Sequence, residues 1–140
     1  MDLTVAYAAG VFDLFHVGHL NLLRSAKGVC DRLVVGVSTD ELVFLSKGIG
    51  SVVPFEDRAE IVRACRYVDV VVPQADLDKY AAWQRLQFDV LIAGDDWFGH
   101  ERWQHYQDRL AEQGVKVIYF PYTQKISSTQ IRQSLAAGKG

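Results

Sequence analysis

Two histidines three positions apart, His16 and His19, close the segment Gly10-Val11-Phe12-Asp13-Leu14-Phe15-His16-Val17-Gly18-His19, and helical spacing follows from about Leu20. At the start of a helix that spacing sends both rings to one side, where they can meet a single charged group. Gly18 removes a side chain from the approach of a flat ligand, and the opening turn of a helix carries partial positive charge. Imidazoles so placed can donate hydrogen bonds to a phosphate whose charge grows in a five-coordinate transition state, with no covalent intermediate.

Three other segments carry residues of comparable chemistry. Ser127-Ser128-Thr129 precedes Gln130-Ile131-Arg132 and reads as a helix start with hydroxyls at its cap, where free N–H groups could hold nucleotide phosphates or simply cap a last helix. Gly94-Asp95-Asp96-Trp97 follows an apolar run, so its carboxylates and indole are expected at a crevice, able to hold Mg²⁺, a ribose or a base amine. Arg58 lies just inside a helical segment and Arg66 between that segment and the next strand; their forked donors suit the phosphate of an acceptor, though Arg58 alone reads equally as a solvated helix charge. Lys47 stands in the glycine-rich stretch Ser46-Lys47-Gly48-Ile49-Gly50, which can close over a ligand.

What must position these groups is legible as a strand-helix alternation. Short, near-continuous apolar runs at Leu3–Ala9, Leu33–Val37, Val68–Val72, Val90–Ala93 and Val115–Phe120 read as strands buried on both faces. Helical spacing occupies Leu20–Val29, Glu56–Cys65, Leu77–Leu86 and Arg102–Glu112. The alternation predicts a single doubly wound α/β domain over residues 1–140, Rossmann-like, with a five-stranded parallel sheet and right-handed crossovers. Ligands then belong at the carboxyl ends of the strands, which is where the four segments fall. Neither a GxGxxG dinucleotide loop nor a Walker lysine loop occurs, so the fold alone does not name the ligand.

Composition narrows the classes further. With 140 residues and 49% hydrophobic side chains the chain can bury a core of its own. Fifteen basic against seventeen acidic side chains give a net charge of −2 and no general attraction to nucleic acid. Cys30 and Cys65 have no CxxC spacing or histidine partner, and read as reduced core residues rather than a disulfide or zinc site. No apolar run is long enough to span a membrane, and the first residues lack the basic region of a signal peptide, so the expectation is a cytoplasmic protein with a small-molecule partner and no membrane contact.

Gly10 to His19 resembles the HxGH signature of the cytidylyltransferase branch of the nucleotidyltransferase superfamily. Arg66-Tyr67-Val68-Asp69, Gly94-Asp95-Asp96-Trp97 and Ile126-Ser127-Ser128-Thr129 resemble, in order and spacing, the remaining motifs of the glycerol-3-phosphate cytidylyltransferases. The resemblance implies transfer of CMP from CTP to a small phosphorylated alcohol, with Mg²⁺ held mainly by the nucleotide phosphates and Asp13 or Asp95 as possible ligands. It implies catalytic roles for His16, His19, Lys47 and Arg66. It sets Ala9, Gly10, Val11, Phe12, Asp13, Gly18, Gly94, Asp95, Tyr122, Thr123, Lys125, Ile126, Ser127, Ser128 and Thr129 at the nucleotide, and Asp13, Arg58, Arg66, Asp96 and Trp97 at the acceptor. A homodimer with the Arg66–Asp69 segment near the subunit contact is implied as well. The chain departs from the family at Val11, usually Thr, and at Tyr122 to Lys125, where the family's arginine and glycine are missing; Lys125 is the nearest replacement cation.

Overall fold

A computed structural model describes residues 3–94, 99 and 101–121. Five strands and five helices alternate: β1 (Val5–Gly10), α1 (Val17–Lys27), β2 (Arg32–Ser38), α2 (Asp40–Lys47), α3 (Phe55–Ala64), β3 (Val70–Gln74), α4 (Lys79–Leu86), β4 (Val90–Gly94), α5 (Glu101–Ala111) and β5 (Lys116–Phe120). All pairings are parallel, in the order β3-β2-β1-β4-β5. The chain winds outward from β1 through β2 to β3, then crosses to β4 and β5, which makes the carboxyl ends of β1 and β4 the switch point where such sheets bind ligands.

Alternation along the central strands builds two cores. Ala6, Ala8, Val35, Val37 and Ile92 face Leu23 and Ala26 of α1 and Val62 of α3. Tyr7, Val34, Leu91 and Ala93 face Ala82 of α4 and Trp103 and Leu110 of α5. Both faces of the sheet are therefore covered, which is why the strands read as apolar runs without polar alternation.

Several boundaries differ from the sequence expectation. α2 was not foreseen at all: its run Leu42-Val43-Phe44-Leu45 shows no clean stripe because Phe44 and Leu45 are 59% and 82% exposed. β3 begins at Val70 rather than Val68, because Val68 still belongs to a turn whose amide bonds the Cys65 carbonyl. α4 begins at Lys79, where Asp78 Oδ1 accepts from the Tyr80 and Ala81 amides at 3.0 Å and fixes the start.

Candidate active site

The loop after β1 is held in an unusual backbone shape. Phe12 and Leu14 adopt φ of 55° and 51°, a left-handed conformation that costs a non-glycine residue about 1–2 kcal/mol. Tertiary bonds hold it there. Asp13 is 2% exposed, and its two carboxylate oxygens accept the amides of Val52 and Val53 at 2.8 and 2.9 Å. The Phe12 ring is buried against Phe15 and His19. Both residues were expected at the ligand. Instead Asp13 anchors the loop before α3, and the Phe12 side chain belongs to the core.

α1 starts at Val17, not Leu20, and its cap is built from the two histidines. Nδ1 of His16 accepts the Gly18 amide at 3.0 Å, while Nδ1 of His19 accepts the His16 amide at 3.2 Å, a reciprocal capping box. The rings stack with centroids 4.0 Å apart. A nitrogen that accepts an N–H carries a lone pair, so in each neutral ring the proton sits on Nε2, and each offers an Nε2–H donor. Burial, then the neighbouring His16, depress the His19 pKa to about 4, with Asp13 opposing. Burial lowers that of His16 too. The pair is neutral near pH 7, and protonating either Nδ1 would break its cap. Gly18, expected to leave space for the ligand, also supplies one of these bonds.

Beside the loop lies a cavity of about 430 Å³ at the carboxyl edge, bordered by Ala9, Gly10 and Val11 of the first motif, Ser38, Gln74, and Leu42, Val43 and Lys47 of α2. Ser46, Leu77, Lys79, Arg102, Trp103 and Tyr106 complete the lining. Lys47 thus reaches the cavity border, but from the last turn of α2, with Gly48 (φ 75°) as a left-handed cap, and not from a glycine loop.

Lys79 was missed by the sequence reading. It is 7% exposed, donates to Gln74 Oε1 at 3.1 Å and lies 5.8 Å from the Trp103 ring centroid. Among the described residues the ion pairs are Lys27–Asp69 and Arg58–Asp40, so no described carboxylate pairs with this ammonium. Burial lowers its pKa to about 8, partly offset by Asp76. A buried cation facing a cavity, with no ion-pair partner among the described residues, suits an anion. Its signal in sequence was faint: a lysine opening a helix, at the end where the dipole disfavours positive charge.

Arg58, expected at the acceptor, is instead a buried clamp. At 1% exposure, its Nε donates to Val53 O at 2.7 Å, its Nη1 to Val11 O and Ser38 O at 2.8 Å, and its Nη2 to Asp40 at 2.6 Å. Four donors are taken, and the residue positions the first loop, β2, α2 and the Ser51–Val53 segment relative to one another. Arg66 is exposed and borders a separate open groove of about 440 Å³ with Arg24, Tyr67 and Ile61, so the structure does not bring it to Lys47. Within the same motif Asp69 ties α1 to β2, accepting from Lys27 Nζ at 2.6 Å and the Leu33 amide at 2.8 Å.

Gly94 ends β4 opposite Phe120 of β5. Asp95, Asp96, Trp97, Tyr122, Thr123, Lys125, Ile126, Ser127, Ser128 and Thr129 lie outside the described residues. Among the described residues no three His, Cys, Asp or Glu side chains gather as a metal site. No described helix is long and apolar enough to cross a membrane.

Known proteins resemble the chain along most of its length. A glycerol-3-phosphate cytidylyltransferase from Bacillus spizizenii is 40% identical over 129 residues, covering 91% of this chain and 94% of the relative. An FAD synthase from Pyrococcus abyssi is 40% identical over 117 residues, covering 83% of this chain and 79% of the relative. A lipopolysaccharide core biosynthesis protein from Thermoplasma volcanium shares the fold, with a TM-score of 0.71 at 21% identity over 87% of this chain and 98% of that one. Residues 7–134 match the family model described as cytidylyltransferase-like. From the histidine-capped helix at the switch point to the match spanning nearly every element, the chain belongs to the cytidylyltransferase-like family.

Proposed function

We propose that this enzyme transfers the cytidylyl group of CTP to glycerol 3-phosphate, or to an acceptor of like chemistry, giving CDP-glycerol and pyrophosphate. The observation that carries the reading is the reciprocal histidine cap, because it leaves two neutral Nε2–H donors at the amino end of α1. Relatives named glycerol-3-phosphate cytidylyltransferase support the choice of substrates.

An acceptor phosphate oxygen attacks the α-phosphorus in line, the bond from that phosphorus to the β-phosphate oxygen breaks, and pyrophosphate departs. His16 and His19 donate to the oxygens of the five-coordinate centre and need no proton of their own to leave. Lys79 holds the acceptor phosphate in the cavity and Lys47 bridges from its border. Mg²⁺, if carried in by the nucleotide phosphates, would supply neutralisation of part of their charge. Ser127, Ser128 and Thr129, with Lys125, hold the terminal phosphates. A homodimer in the cytoplasm, joined near the Arg66–Tyr67 groove, completes the proposal.

Incubation with Mg²⁺, glycerol 3-phosphate and either CTP or ATP, followed by pyrophosphate release and product mass, tests it. CDP-glycerol from CTP is the expected product. A preference for ATP, or no product from either nucleotide, would overturn it.

A further inference from the structure

At the cavity Lys79 is joined to a polar relay whose other members, Gln74 and Tyr7, have no part in the transfer proposed above. Tyr7 of β1 donates its hydroxyl to Gln74 Oε1 at 3.1 Å, across the intervening strand β2. It can do so only because β2 has glycine at the crossing: a Cβ at Gly36 would overlap the Tyr7 hydroxyl. Lys79 Nζ donates to the same Oε1. Burial pushes the Tyr7 pKa up to about 12, so the phenol stays a donor.

Two donors on one oxygen fix the orientation of the amide. Lysine has no acceptor, so the carbonyl oxygen and not the nitrogen must face it. That leaves Gln74 Nε2, which reaches Ser38 Oγ only at a long 3.5 Å, as the amide's group for a ligand. Gln74 and Ser38 are each 4% exposed and both border the cavity. The charged side chains in the described lining, Lys47, Lys79 and Arg102, are all cationic. The floor therefore offers hydrogen-bond donors beside positive charge. It suits an anion that also carries a hydroxyl oxygen, and disfavours an ammonium.

Resting on the acceptor reading above, we propose that Gln74, locked by Tyr7, is the specificity-determining residue for the acceptor: its Nε2–H donates to a hydroxyl of the alcohol while Lys79 holds the phosphate. A site built to hydrogen-bond a substrate hydroxyl rejects the analogue that lacks it.

The test crosses two acceptors with two enzymes. Glycerol 3-phosphate and 3-hydroxypropyl phosphate differ by the central hydroxyl. Wild-type enzyme is expected to favour the former at least tenfold in kcat/KM, and Gln74→Met, which keeps length and loses the amide, is expected to bring the two within about twofold while KM for CTP stays within twofold. A merely structural role for Gln74 would lower both acceptors alike and preserve their ratio; that result overturns the assignment. Should Gln74→Met not accumulate in folded form, Tyr7→Phe, which unlocks the amide, is expected to narrow the ratio in the same direction, and an unchanged ratio there overturns it equally. Absence of any CDP-alcohol from the wild type is a different failure, that of the acceptor reading itself.

Discussion

Nδ1 of His16 and Nδ1 of His19 each accept a backbone amide of the same helix turn, so the residues proposed to face the phosphate also begin the helix that carries them. The two duties separate by substitution. Asparagine is a good cap with a side chain of similar reach to Nδ1. His16→Asn is expected to stay within about 1 kcal/mol of wild type in urea unfolding, yet to lose about a hundredfold or more in kcat. His16→Ala is expected to lose both. Turnover of His16→Asn within a few-fold of wild type would remove His16 from the chemistry.

Acid should unfold the protein through the same cap. His19 titrates near 4 when folded and near 6.5 when unfolded, so between those values the unfolded chain binds more protons and stability falls as pH drops. The shift corresponds to a loss of about 3 kcal/mol, complete below about pH 4. His19→Gln should flatten the decline between pH 6.5 and 4, as read from urea midpoints.

Lys79 predicts a pH effect of opposite sense on binding. Only the ammonium attracts phosphate, and its pKa in the free enzyme is near 8. KM for the acceptor should rise about tenfold per unit above that pH, while kcat holds, because bound phosphate keeps the lysine protonated. Lys79→Met should raise the acceptor KM at pH 7 by at least tenfold and abolish this limb. A pH-independent KM between 7 and 9.5 would count against the site.

Arg58 bonds three main-chain carbonyls as well as Asp40. Arg58→Met should cost about 3–5 kcal/mol, since the buried carbonyls of Val11 and Ser38 lose their donor. Asp40→Asn should cost about 1 kcal/mol, because Asp40 is half exposed. Thermal and urea unfolding of both variants measure the difference.

The five strands were readable because burial on both faces leaves β-branched runs without alternation, as at Leu33–Val37. His16 as a cap was not, since histidine falls outside the usual capping residues, and the helix start was placed at Leu20 instead. Arg58 shows the other limit. Its partners Val11 and Ser38 lie 47 and 20 positions away, and nothing local tells a buried clamp from a solvated helix charge. Lys79 misled for a related reason: flanked by Asp78 and Tyr80, it looks like surface, and only the packing of α4 on Trp103 takes it out of water.

Asp13 pins Val52 and Val53, and Ser51 bonds Asp40, so the backbone after Lys47 is fastened again only four residues on. A Cβ placed on Gly48 or Gly50 between them would meet nothing within 4 Å. If the last turn of α2 unwinds, this tether lets the lysine backbone travel no farther than about 14 Å from Ser51. Lys47 is on a leash whose far end is held twice, by Asp40 at Ser51 and, one residue on, by the carboxylate that stands before the histidines in the chain.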